Sequence, residues 1–116
     1  MALDITMSHQ RQALIVRLAG ELDHHTADRV KRQMEMELEK GIYSDVIFNL
    51  TDLSFMDSSG IGVILGRYKQ VVQAGGKMAI CSVHPTIYRI FEMSGLFKII
   101  PFHENETEAL QSLGVA

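Results

Sequence analysis

Between residues 46 and 50 the chain reads Val46-Ile47-Phe48-Asn49-Leu50, a nearly continuous apolar run without apolar/polar alternation. A strand with one face in water alternates, so this run predicts a strand covered on both faces, as in the middle of a parallel sheet. Parallel neighbours cannot be joined by a tight turn and need crossover connections, usually helices. The flanking sequence supplies them. Ala27, Val30, Met34 and Leu38 recur at helical spacing before the run, with charged residues between them and Gly41 placed to stop the helix. After the run, Ile61, Ile64, Leu65, Tyr68 and Val71 mark one face of a second helix over about residues 59–74, with Gly75-Gly76 beyond its end.

The remaining elements follow from the same rules. Residues 3–8 and 13–18 are strand-like runs separated by the polar His9-Gln10-Arg11-Gln12, and they read as a hairpin. Residues 77–82 supply another strand. Pro85 suits the first turn of a third helix, with Ile87, Ile90 and Phe91 facing inward and Gly95 as its stop. Residues 97–101 read as a last strand and 104–113 as a last helix. The order ββαβαβαβα predicts an α/β fold: a mixed, mostly parallel sheet with an N-terminal hairpin and about four helices, its crossovers right-handed. With 116 residues and neither repeat nor linker, residues 1–116 are expected to form a single domain.

Apolar residues make up 47% of the chain and charged residues 22%, ordinary globular usage, so it is expected to fold alone. The net charge of −3 and the lack of a basic cluster argue against direct nucleic-acid binding. Residues 1–12 do not resemble a signal peptide, and no segment approaches the apolar length of a membrane span. A cytoplasmic protein without membrane contacts is the expectation. Cys81, the only cysteine, lies in the apolar stretch Met78-Ala79-Ile80-Cys81 and is expected to be a buried structural thiol.

The stretch Leu53-Ser54-Phe55-Met56-Asp57-Ser58-Ser59-Gly60-Ile61-Gly62 joins the buried strand to the second helix and is the most informative in the chain. The first N–H groups of a helix have no intrahelical partner, so Asp and Ser side chains cap them, and a phosphate there meets unpaired donors and a positive dipole end. Capping alone is the simplest account. Gly60, Gly62 and Gly66 in the same helix each cost it about 1 kcal/mol relative to Ala. Two explanations offset that cost: close packing on the sheet, or close approach of a partner's backbone beside Ser58. A catalytic serine is disfavoured because Met56 stands where the G-x-S-x-G elbow has Gly, and the histidines (His9, His24, His25, His84, His103) are explicable as surface or cap positions. Asp23-His24-His25 is a weak metal signal without further ligands at metal spacing. No cofactor and no catalytic residue is expected. Asp52 and Asp57 follow the central strand, which keeps a phosphoaspartate receiver as an alternative, although receivers resemble a strictly alternating βα chain and this one opens with a hairpin.

Phe55-Met56-Asp57-Ser58-Ser59-Gly60-Ile61-Gly62, preceded by Gly20-Glu21-Leu22-Asp23, resembles the STAS domain of anti-sigma factor antagonists, and the similarity is strongest to those acting on the anti-sigma-F factor in spore-forming bacteria. The resemblance spans the whole chain. It implies partner switching: the unphosphorylated antagonist binds an anti-sigma factor and frees the sigma factor that it held. The anti-sigma factor is also a serine kinase that uses ATP to phosphorylate and expel the antagonist, and a PP2C-type serine phosphatase reverses the mark. Carried onto this sequence, the acceptor is Ser58. Asp23, from the adjacent loop, is expected close to Ser58, and Asp57, Ser59, Gly60 and Gly62 complete the expected partner-binding surface. A ligand-sensing STAS module is the other alternative within the same family.

A phosphate adds about −1.5 to −2 charge, which at a helix N-terminus is locally favourable by roughly 0.3–1 kcal/mol. Phosphorylation is therefore expected to leave the domain folded. Against a partner's surface, the same unpaired charge costs about 3–5 kcal/mol when buried, enough for a switch.

Overall fold

The computed structural model describes residues 2–115; Met1 and Ala116, the ends of the expected domain, lie outside the described residues. Strands β1 (Leu3–Gln10) and β2 (Ala13–Leu22) form the expected hairpin, closed by Arg11 in the left-handed region at φ 52°. Three parallel strands extend the sheet: β3 (Asp45–Met56), β4 (Met78–Cys81) and β5 (Phe102–His103). Their order across the sheet is β1-β2-β3-β4-β5, the same as in the chain. The helices are α1 (Ala27–Leu38), α2 (Ser58–Gln73), α3 (Pro85–Ser94) and α4 (Glu106–Ser112).

Strand alternation divides the core in two. Leu14, Val16, Leu18, Val46, Phe48 and Leu50 face one way and pack with Val30 and Met34 of α1, Ile64 and Val71 of α2, and Ile87 and Phe91 of α3. Ile15, Ile47, Ala79 and Cys81 face the other way, against Ala109, Leu110 and Leu113. The unbroken 46–50 run is explained by this double covering. Cys81 is buried, and burial pushes its thiol above the usual range, as expected of a structural cysteine.

A polar clamp fixes α4 to its face of the sheet. The guanidinium of Arg17 donates to both carboxylate oxygens of Glu106, at 2.7 and 2.8 Å, and also to Ser8 Oγ at 2.9 Å, while the Asn49 amide donates to Glu106 Oε2 at 2.5 Å. The hydrogen bond from Arg17, opposed by partial burial and reinforced by Asn49, holds the Glu106 carboxyl below its ordinary range.

Two expectations are corrected. Residues 97–101 are not a strand: Leu96–Lys98 is a 3₁₀ turn, and β5 comprises only Phe102 and His103. Gly95 caps α3 in the left-handed conformation (φ 77°) and turns the chain. An extended segment would put Lys98 on the same face as Leu96 and Ile100; the helical turn buries those two and leaves Lys98 exposed. Pro101 lacks an N–H, yet its carbonyl accepts from Ile80 N–H at 2.9 Å, so it leads into the edge strand. In addition, the second strand, expected over 13–18, runs on through Gly20, Glu21 and Leu22, and the turn into α1 begins at Asp23.

The central strand is also longer than its apolar run. β4 covers β3 at Val46, Ile47, Phe48 and Asn49, whereas the pairing with β2 continues to Leu22 and Met56. The β2–β3 pair therefore projects beyond β4, and the candidate site stands on this projection.

Candidate functional site

Leu22 and Met56 form the last β2–β3 pair, and the N–H of Asp57 donates to the carbonyl of Leu22 at 3.2 Å. Asp23 and Asp57 consequently leave the sheet side by side, each beginning the segment that leads into a helix. Asp57 is the N-cap of α2: its backbone is extended (φ −113°, ψ −170°), and its Oδ1 accepts from Ser59 N–H at 2.8 Å. With the cap supplied by Asp57, Ser58 is the first residue of the helix. Its side chain is exposed and its hydroxyl makes no hydrogen bond among the described residues. A hydroxyl released from capping is open to modification from solvent.

Asp23 organises the turn before α1. Its Oδ1 accepts from His25 N–H at 2.8 Å, Thr26 N–H at 3.1 Å and the Thr26 hydroxyl at 3.3 Å. Thr26 Oγ1 in turn donates to the Glu21 carbonyl at 2.9 Å and accepts from Asp23 N–H at 3.0 Å. Desolvation opposes the charged form of Asp23, but the bonds from His25 and Thr26 outweigh it and hold the carboxyl below its ordinary value of 3.8. Asp23→Ala is thus expected to lower the melting temperature by a few degrees at neutral pH through loss of these bonds. A carboxyl depressed in the folded state stabilises above its ordinary pKa and loses that effect as pH falls through the folded value. The difference between wild type and variant should therefore narrow on acidification below about pH 4, as read by melting curves across pH. Asp23 leaves the sheet next to Asp57, so its stabilising role does not remove it from the candidate surface.

His24 lies against His25, ring centroids 3.9 Å apart and planes tilted by 39°, and its Nδ1 lies 3.9 Å from Asp57 Oδ2, beyond hydrogen-bond length. It links the two loops, a contact that neither local pattern announces. Among the described residues, no group of three or more His, Cys, Asp or Glu side chains is arranged to hold a metal. Asp52 lies within β3 and faces solvent. Of the other histidines, His9 is exposed and His84 caps α3, its ring nitrogen accepting from Thr86 N–H at 3.4 Å. His103 departs from the expectation: it lies in β5, half-buried, with its Nε2 buried and without a hydrogen-bond partner among the described residues.

Close packing accounts for one of the three glycines and not for the other two. Gly60 is buried, and a Cβ there would overlap Met56 Cγ and press on Leu22 Cγ and Cδ2 at 3.0 Å. Close packing on the β2–β3 projection requires this glycine. At Gly62 and Gly66 a Cβ would meet nothing within 4 Å. Gly62 is exposed one helical turn after Ser58, on the same face of α2.

Beside Ser58 runs an open groove of about 470 Å³. Met56, Asp57, Ser58 and Ile61 form one wall, and Ile90, Met93 and Ser94 of α3 form the other. Met93 is 83% exposed. This second wall escaped the sequence reading, which took α3 for a core helix. Met93 lies off the inward face defined by Ile87, Ile90 and Phe91, and an apolar residue on the wrong side of a helix was the available signal.

An α/β sheet with a hairpin at one edge, carrying an Asp-Ser-Ser-Gly helix start on its central strand, matches a known family over residues 4–109: the STAS domain. The chain belongs to the STAS domain family. Within the family, this STAS domain is 53% identical to an anti-sigma F factor antagonist of Paenibacillus polymyxa over 115 residues, which cover 99% of this chain and 98% of the relative. Two solved structures extend the likeness. The anti-sigma factor antagonist SpoIIAA in its unphosphorylated form is 30% identical with a TM-score of 0.75, covering 97% of this chain and 98% of that one. The Bacillus cell fate determinant SpoIIAA in the phosphorylated form is 31% identical with a TM-score of 0.74, covering 94% and 98%. Among the described residues of this STAS domain, no helix is long and apolar enough to cross a membrane.

Proposed function

We propose that this STAS domain is a non-catalytic anti-sigma factor antagonist switched by phosphorylation of Ser58. Unphosphorylated, it binds an anti-sigma factor with serine kinase activity and releases the sigma factor. The kinase transfers the γ-phosphoryl group of ATP to the Ser58 hydroxyl, ADP leaves, and the modified chain dissociates. A PP2C-type serine phosphatase restores the binding form. The cytosol, where sigma factors meet RNA polymerase, is the compartment for such a cycle.

The carrying observation is the state of Ser58. It occupies the first position of α2, exposed and without a hydrogen-bond partner among the described residues, while Asp57 does the capping that a serine at a helix start would otherwise do. A phosphate at this position gains from the helix dipole by roughly 0.3–1 kcal/mol, so modification and folding do not compete. The two SpoIIAA forms match this chain almost equally well, in keeping with a mark that alters a surface and leaves the fold in place.

The test uses the anti-sigma F factor of Paenibacillus polymyxa with ATP. Purified chain is expected to bind it, to take up one phosphate that survives hydroxylamine, and to lose binding once modified. A hydroxylamine-labile phosphate would mean an acyl phosphate on an aspartate and would refute the serine switch. Failure of the unmodified chain to bind would refute the antagonist reading.

A further inference from the structure

We propose that the groove between the start of α2 and α3 receives an apolar side chain of the anti-sigma factor, with Met93 as its principal contact; this rests on the antagonist function proposed above. Three features of the groove support one occupant. Ser58 and Asp57 belong to its wall, so anything covering the modified serine also covers the groove. Its other side chains are largely apolar, with Ile61 and Ile90 half-buried and Met93 projecting at 83% exposure, more than any other large apolar side chain among the described residues. Methionine is unbranched and polarisable, suited to moulding around an inserted group. Burying such a wall is favourable only if water leaves it.

The same placement explains how a small mark expels a large partner. A phosphate on Ser58 brings about −1.5 to −2 charge to the edge of an apolar groove, beside the carboxylate of Asp57. An apolar side chain seated there would have to strip water from that charge without offering it a counter-ion, the arrangement in which burial of charge is most costly.

The experiment compares wild type, Met93→Glu and Met93→Ala for binding to the Paenibacillus polymyxa anti-sigma F factor, with Ile42→Glu as a control at an apolar side chain 64% exposed elsewhere. Met93→Glu should weaken binding at least about tenfold, equivalent to about 1.4 kcal/mol, Met93→Ala less, and Ile42→Glu not at all. Melting temperatures should be unchanged, because Met93 is not in the core. Met93→Cys carrying a benzophenone photo-cross-linker should attach to the unmodified complex and not when Ser58 is phosphorylated; Cys81 is buried and will not compete for the label. Wild-type binding with Met93→Glu within twofold of it, or a wild-type dimer that Met93→Glu converts to monomer, would overturn the groove assignment alone. If wild type itself does not bind, the antagonist function falls and the groove assignment with it.

Discussion

Ser58→Ala is expected to bind the anti-sigma factor as tightly as wild type while taking up no phosphate, so that it holds the sigma factor free even when ATP is abundant. The hydroxyl makes no hydrogen bond among the described residues and the N-cap belongs to Asp57, so the methyl that replaces it costs the fold almost nothing. Ser58→Asp should behave oppositely. It places about one charge at the first position of α2, where the helix dipole favours it by roughly 0.3–1 kcal/mol, and the melting temperature should stay level or rise slightly. Binding should fall at least about tenfold, about 1.4 kcal/mol, because that charge meets the partner without a counter-ion. The decisive measurement is affinity paired with melting curves for wild type, both variants and phosphorylated protein. Full labelling of Ser58→Ala, or undiminished binding by phosphorylated protein, would remove Ser58 from the switch.

Two glycines separated by half a helical turn should respond in opposite senses. Gly60→Val is expected to destabilise the domain by about 3 kcal/mol or more. Its Cβ would overlap Met56 Cγ, the methyls would extend into Leu22, and both neighbours are themselves buried in the core and cannot withdraw without opening a cavity elsewhere. Gly62→Ala meets no atom within 4 Å and removes a helix-destabilising glycine, so it should raise stability by up to about 1 kcal/mol. A larger residue separates folding from docking: Gly62→Gln should keep the gain in stability and weaken anti-sigma factor binding, since it builds bulk one turn from Ser58 on the same exposed face. Thermal melting and affinity together read both effects. If Gly62→Gln binds as wild type does, the partner does not approach α2 at that turn and Gly62 leaves the docking surface.

The conformation of Asp23 gives it a folding role beside its expected place on the partner-binding surface. Its three hydrogen bonds place it in the turn that starts α1, and its neighbour Thr26, with no side-chain cap bond of its own, completes the network from below. One residue can do both, because Oδ1 carries the turn while the residue as a whole stands on the same edge as Asp57.

Local chemistry was enough to determine the elements and their order. The 46–50 run requires a doubly covered strand, the 3.6-residue spacing of Val30, Met34 and Leu38 requires a helix facing it, and Asp57 at a helix start requires a cap; each depends on residues within a turn or two of one another. The same locality made the Asp-Ser-Ser-Gly stretch, and with it the family, readable from the chain. Tertiary structure decided what depends on distant residues. Gly60 is enclosed by Met56, four residues before it, and by Leu22, which lies 38 positions before it in the chain and reaches it only through the β2–β3 pairing. The segment after Gly95 became a 3₁₀ turn that buries Leu96 and Ile100 while turning Lys98, which a strand would have placed on their face, out to solvent. The wall of the groove opposite Ser58 comes from α3, some 35 residues away, and only the packing of α3 against β3 brings Met93 to face it. Periodicity reports which face of an element is buried; which surfaces become neighbours is set by the sum of many weak contacts between elements, and no short window of sequence contains that sum.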